Sequence, residues 1–510
     1  MTDIFDTYKP LRNYLRKVGL IESLGVIRAY VQHFQFGALF PPDIEVPDWF
    51  LQARSNVDKK VFEWELDVLA RELLIHASPL GPPDPRYTLR RWSYFAGAVN
   101  KLKDLENEIV SLYPQGSILL ELHRIAHREF PWQRPPNATW LSRYYRIFSY
   151  PDLDAVLHGA TGLTARELYL LGLAFAGLYL DQFALYYPPT IEIPGLTRDH
   201  FDRFLKHFAL DLEQLRARTA AAQELNDNYP YVFNPLRVHP IVGVELRGRL
   251  ALVAPIPTFL FWRFTEGVYY ELLNQPSFAN AYGEAFQRYV GDVIERANRT
   301  SRLQFYPEVE YRIGKDRKDS VDWILEDDSG LLFVESKTKR LQLRAKTEIR
   351  STEALESELD KLATFIVQLY KTIADYRSGH YPHVPYRPGK PVYPLVLTLE
   401  EWFSFGPRIH TVLDQRVAVR LEEADLPREW LNEMSYSTCS VAAFEKLVQV
   451  VDARPIAEVM GRKIADPEFR GWLLDGFLSH AFPAESHAAR NLFPETLDEL
   501  TAAIAPNAQG

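Results

Sequence analysis

Residues 320–339, SVDWILEDDSGLLFVESKTK, constrain the fold more than any other stretch of this 510-residue chain. Val321, Trp323 and Leu325 alternate with Asp322, Ile324 and Glu326; Asp327, Asp328, Ser329 and Gly330 then supply turn chemistry, and an apolar run restarts at Leu331. Alternation, a Gly-containing turn and renewed apolar residues predict a β-hairpin. With those four residues as the loop, Glu326 faces Leu331, and stepping outward along the ladder sets Asp322 opposite Glu335. Paired residues share a face with Cβ atoms roughly 4.5–5.5 Å apart, where like charges destabilise one another. Two carboxylates so placed require a cation between them.

Lys337 lies two residues beyond Glu335, so the strand period of two returns it to the same face. Ser336 is expected to point the other way while leaving its carbonyl beside the carboxylates. The opposite face carries Val321, Trp323, Leu325, Leu332 and Val334, whereas Ile324 and Phe333 make the carboxylate face partly apolar. A hairpin of that composition is expected to be covered on both sides.

The flanking segments extend the pattern. Phe286, Tyr289, Val290, Val293 and Ile294 recur at helical spacing and predict a helix over 279–298. Residues 305–313 read as a strand, 352–376 as a long amphipathic helix carrying Leu355, Leu359, Leu362, Phe365, Ile366 and Leu369, and 392–399 as a further strand.

This order, with Asp322, Glu335 and Lys337 in a D…E-x-K set, resembles the PD-(D/E)XK (restriction-endonuclease-like) nuclease superfamily over residues 275–405. That family's core runs helix, three-stranded antiparallel meander, helix, strand. Val321 stands where the family name has proline, a loosely kept position. The resemblance implies a Mg²⁺-dependent phosphodiester hydrolase, with Mn²⁺ able to substitute. Asp322, Glu335 and the Ser336 carbonyl would hold the ion, and Lys337 would serve catalysis. Hard oxygen donors of this kind suit Mg²⁺, which binds through one or two carboxylates and keeps several waters.

Members often add a glutamate from the preceding helix in a G-x-x-F-E-x-Y pattern; here Gly283, Phe286, Gln287 and Tyr289 fill it, so Gln287 replaces that glutamate and Glu284 sits one turn earlier. Glu284 is therefore a supporting candidate, followed by Glu308 and Glu310 on the first strand. Gln368 and Lys371, with Tyr370, look like the polar residues that many members place near the scissile phosphate. They do not fit the Q-x-x-x-Y form of the recombination-exonuclease branch, and one cysteine excludes an iron–sulfur version.

The net charge of −9 argues against broad coating of nucleic acid. Locally, however, KTKRLQLRAK at 337–346 carries only basic charges, and Arg312, Lys315, Arg317 and Lys318 lie just before Asp322, predicting a basic lip. The apolar run 168–180 is too short for a bilayer span of roughly 20 residues and reads as a core helix. The opening MTDIFDTYKP lacks the basic and apolar parts of a signal peptide, and Cys439 is the single cysteine. The expectation is a cytoplasmic protein without membrane partners.

Residues 61–76, 94–112, 117–129, 165–180 and 198–225 have helical spacing, with Pro-containing loops between several of them. His123 and His127 stand at i, i+4 but lack the glutamate of H-E-x-x-H and read as surface or capping residues. Arg71 and His76 fit the loose R-x(4)-H spacing of helical ribonucleases resembling the HEPN family, a match common by chance. Residues 242–246 and 250–253 flank Arg247-Gly248 and predict a hairpin joining the two halves, with Phe259, Phe261, Trp262 and Phe264 as core between them. Residues 414–422 read as a strand.

The chain therefore reads as an α+β multidomain protein: a helical domain at 1–228, a hairpin and aromatic linking region at 229–274, a restriction-endonuclease-like α/β nuclease core at 275–425 and a small helical tail at 426–510. The function implied is cleavage of nucleic acid, DNA foremost, as an anti-phage defence or restriction effector by fold-level analogy, with an activating protein partner or homo-oligomerisation. An RNA nuclease with the same site, or a catalytically silent nucleic-acid-binding or assembly protein on the same fold, stays open.

Overall fold

The computed structural model describes residues 4–82, 84–114, 116, 118–403 and 407–504. It is a mixed α+β structure of two compact units. The first comprises Met1–Ser117, Arg124–Phe278 and Glu495–Gly510, the second Ile118–His123 and Ala279–Pro494. Among the described residues no single helix is long and apolar enough to cross a membrane.

The first unit is largely helical, with helices at Leu20–Phe36, Glu63–His76, Trp92–Val110 and Ala165–Asp181. The last buries Leu168, Leu170, Leu171, Phe175 and Tyr179, as expected of a core helix. The helix predicted over 198–225 is interrupted: Arg198–Phe208 and Leu212–Ala222 flank the strand Ala209–Asp211, which pairs in parallel with Ile241–Leu246. Asp211 causes the break, because its carboxylate accepts from the amides of Glu213 and Gln214 and starts a new helix.

The predicted hairpin forms as Ile241–Leu246 and Arg249–Val253, with positive φ at both Arg247 (54°) and Gly248 (72°), the backbone that a two-residue turn needs to match strand twist. It lies inside the first unit, at the centre of a four-stranded sheet, rather than between the units. Phe259, Trp262 and Phe264 likewise pack within that unit, on Trp132 and Tyr169. Arg71 is buried and donates to Glu72 and to the carbonyls of Tyr229 and Val232, which fixes it as a packing residue. His123, which belongs to the second unit, is buried, which removes the surface half of the surface-or-capping expectation for it.

The second unit is built on a five-stranded sheet. Its principal elements, among further short helices, are α1 (Phe278–Ala297), β1 (Gln304–Pro307), β2 (Glu310–Ile313), β3 (Asp316–Asp319), β4 (Trp323–Glu326), β5 (Leu331–Lys337), α2 (Glu353–Arg377), β6 (Val392–Thr398), α3 (Pro407–Glu423), β7 (Ser437–Ser440), α4 (Val441–Ala453) and α5 (Ile456–Ala465). The sheet order is β7-β6-β5-β4-β1. β1, β4 and β5 form an antiparallel meander; β6 runs parallel to β5, and β7 parallel to β6.

The β4–β5 register is Trp323 with Val334 through Glu326 with Leu331, as the turn residues dictate. Asp327 builds the turn, its Oδ1 accepting from the Ser329 amide (2.8 Å) and hydroxyl (2.6 Å) and the Gly330 amide (3.0 Å). The same turn caps α5: Asp327 Oδ2 and Ser329 Oγ accept from the amides of Ile456 and Ala457, both at 2.9 Å. Residues 331–335 of β5 and all of β6 are buried, the continuous apolar pattern of strands covered on both faces.

In the second unit three expected elements change. The strand expected over 305–313 splits, because Pro307 lacks an amide donor and ends β1 at the sheet edge; 310–319 then folds back on itself as a separate β2–β3 hairpin, with Gly314 at φ +61° in its turn. The strand expected over 414–422 is part of helix α3, whose Ile409, Leu413, Val417 and Leu421 recur every four residues and are buried. Residues 437–440, expected in a helical tail, add β7 to the sheet.

Candidate functional site

Asp322 lies one residue before β4, and continuing the register places it across from Glu335 on β5. Val321, beside it, is anchored through its amide to the Tyr381 hydroxyl (3.2 Å). Free of the ladder itself, Asp322 swings its carboxylate onto Ser336: Oδ2 accepts from the Ser336 amide and hydroxyl, both at 2.6 Å. The Ser336 side chain therefore reaches the carboxylate face instead of pointing away. Lys337 Nζ donates to Glu335 Oε1 at 2.6 Å and stands 5.3 Å from the centre of the Phe365 ring on α2. Glu335 is 5% exposed, and the Lys337 side chain retains 22% exposure.

A third carboxylate joins this pair. The β2–β3 hairpin is pinched at its base by two bonds, Ser320 amide to Val309 carbonyl (3.0 Å) and Val309 amide to Ser320 hydroxyl (2.9 Å). The pinch brings Glu308, just before the hairpin, near Asp322, just after it. Glu308 Oε2 accepts from Gln287 Nε2 of α1 at 2.9 Å. The same turn of α1 is fixed on β4, since the Trp323 indole donates to the Gln287 carbonyl (3.0 Å) and a Cβ at Gly291 would collide with the indole ring.

Electrostatics register the crowding. Burial, then the Asp322 charge, push Glu335 up to about 7, with Lys337 pulling it back and Glu308 adding to the rise. Burial also raises Asp322 against the hydrogen bonds from Ser336 and the pull of Lys337. Glu308 is raised by burial, against the bond from Gln287 and with the charge of Asp322 adding to the rise. Three carboxyls held above their usual range chiefly by burial, with a neighbouring carboxylate adding to the rise at Glu335 and Glu308, favour an added positive charge.

The other candidates stand elsewhere. Glu284 is exposed and pairs with Arg288 one turn on (3.8 Å). Gln368 and Lys371 are exposed on α2, and among the described residues no hydrogen bond or ion pair joins them to the Asp322 set. Glu310 pairs with Arg317 (2.5 Å) on the separate hairpin. The expected basic lip is largely neutralised: Arg340 and Lys346 meet Glu400, Lys339 meets Glu358, Arg344 meets Glu348, and Lys318 meets Asp375. Gln287 enters as the holder of Glu308, a role signalled only by its place in the G-x-x-F-E-x-Y comparison.

Among the described residues no three Asp, Glu, His or Cys side chains stand as a ready-made ion site. Asp322 Oδ2, Glu335 Oε1 and Glu308 Oε2 are each engaged by a protein donor. The donor set still fits Mg²⁺ chemically, because that ion needs only one or two carboxylates besides its waters. Asp322 Oδ1 and Glu335 Oε2 take no hydrogen bond among the described residues.

No family model matches the chain, and no curated protein does. A solved structure, protein VC1899 from Vibrio cholerae, aligns at 12% identity over 62% of this chain and 57% of its own, with a TM-score of 0.19. The chain thus spans little more than half of that protein, and a likeness this low carries no inference about fold or activity.

Proposed function

We propose that the second unit is a metal-dependent nuclease of the PD-(D/E)XK type, hydrolysing phosphodiester bonds of nucleic acid, DNA foremost, to leave a 5′-phosphate and a 3′-hydroxyl. The observation that carries this reading is the placement of Asp322 across from Glu335 with Lys337 Nζ 2.6 Å from the Glu335 carboxylate. The run α1, β1, β4, β5, α2, β6, with β6 parallel to β5, supports it.

In this reading Asp322, Glu335 and the Ser336 carbonyl would hold Mg²⁺ or Mn²⁺, with the negative charge of Glu308 beside them. Bound there, such an ion would supply charge withdrawal from the phosphate and a more acidic water. Lys337, partly exposed and steadied by Phe365, donates to a phosphate oxygen and offsets the charge that grows there in the transition state. The Ser336 bonds to Asp322 keep that carboxylate aimed at the site before substrate arrives. The setting proposed is a cytoplasmic defence or restriction effector, switched on by a protein partner or by self-assembly.

The test is incubation of purified protein with supercoiled plasmid, single-stranded DNA and RNA, with Mg²⁺ or Mn²⁺ against EDTA, alongside Lys337→Ala. Metal-dependent cutting lost in the variant supports the assignment and names the substrate. Cutting that persists in the variant overturns it.

A further inference from the structure

We propose that the β2–β3 hairpin is an arm that grips the phosphate backbone of the nucleic acid whose cleavage is assigned to the adjacent site, an inference that rests on that assignment. Among the described residues the hairpin pairs with no other strand, and six of its eight strand residues are exposed, Tyr311 being buried and Ile313 half-buried. One face is tied down: Tyr311 and Lys318, cross-strand partners, both donate to Asp375 Oδ2 of α2, at 2.6 and 2.8 Å. The other face is free and carries Arg312 directly opposite Arg317, with Glu310 opposite Asp319 nearer the base.

Like charges directly opposite one another cost stability, and an isolated two-stranded hairpin has little to spare. Arg317 is answered by Glu310. Arg312 and Lys315 are exposed and have no side-chain partner among the described residues. The free face is thus graded: cationic toward the Gly314-Lys315 turn, acidic toward the base, where Glu308 and Asp322 begin the candidate metal site. A polyanion crossing that face would meet Arg312 and Lys315 first and deliver one phosphate to the ion at the base. From the pinch at Val309 and Ser320 to the turn, five residues reach about 17 Å. That is the axial length of about five base pairs.

The experiment measures binding by the full chain, on a Lys337→Ala background that suppresses cutting, to a duplex, a single-stranded DNA and a single-stranded RNA across a salt series with Mg²⁺ present. Replacing Arg312→Gln and Lys315→Gln removes two phosphate contacts, so the salt slope on duplex falls by about 1.8 and affinity near 0.1 M salt drops about 60-fold. An Arg312→Lys, Lys315→Arg protein should bind like its parent, and Arg86→Gln in the first unit should change nothing. Whichever polymer shows the effect is the one the arm holds. A parent that binds while the Gln pair leaves slope and affinity unchanged overturns the arm alone; a parent that binds none of the three overturns both the arm and the nuclease assignment.

Discussion

Replacing Glu335 by glutamine should stabilise the protein at neutral and higher pH, which is the reverse of what a structural ion pair would do. Glu335 is buried, and its carboxyl is pushed from an ordinary 4.5 to about 7. Each pKa unit is worth about 1.36 kcal/mol, so holding this carboxylate ionised costs the folded state roughly 3 kcal/mol. The sign follows from proton counts. Between about pH 4.5 and 7 the folded chain keeps a proton that the unfolded chain has released, so stability falls as pH rises through that window and stays low above it. Glutamine keeps an acceptor for Lys337 Nζ and removes the charge. Urea unfolding of the full chain, followed by tryptophan fluorescence and by exchange protection of Leu331–Lys337, should show the variant more stable by up to about 3 kcal/mol near pH 8 and equal to wild type near pH 4. Saturating Mn²⁺ should recover about 2.7 kcal/mol in wild type at about 100 times its Kd, and little in the variant. A variant less stable than wild type near pH 8 would make the Glu335–Lys337 bond a net stabilising pair and remove the strain on which the cation argument depends.

Asp322→Ala should lower Mn²⁺ affinity by at least about tenfold in titration calorimetry, since it deletes one of the two carboxylates such an ion relies on. Lys337→Ala should cut the rate of nucleic-acid cleavage by about 10²–10³ while Mn²⁺ affinity stays within a few fold, separating charge stabilisation from ion binding. Gly291→Ala should destabilise the second unit by about 1–3 kcal/mol in urea unfolding, because the new methyl meets the Trp323 ring in a packed helix–strand contact.

The hairpin register was legible because four consecutive turn formers leave one pairing in which the apolar residues share a face. The helix over 279–298 and the strand over 392–399 followed from uninterrupted periodicity, and both appear within a residue of the expected bounds. The break within 305–313 was not legible from alternation, since it depends on Pro307 ending its strand at an edge and on a pinch made by a serine hydroxyl. The 414–422 error had a different source: β-branched Val417 and Val419 mimic a strand locally, and only the wider window from Ile409 to Leu421 reveals the four-residue repeat. Glu308 was legible as a carboxylate but not as the one that counts, because its placement requires Gln287 from a helix some twenty residues away. Glu284, favoured by chain distance to the family pattern, turns to solvent.

The turn of the site hairpin also caps α5, and β7 lies along the outer edge of β6. A shortened chain ending near residue 425 would keep every candidate catalytic residue, yet it would strip the carboxylate of Asp327 and the hydroxyl of Ser329 of two amide partners and bare a buried parallel strand along its whole free edge. Such an edge is a template for pairing with other chains. The protein between 426 and 494 is therefore what keeps the site's own sheet from becoming an aggregation seed, and a fragment meant to carry the candidate site intact has to include it.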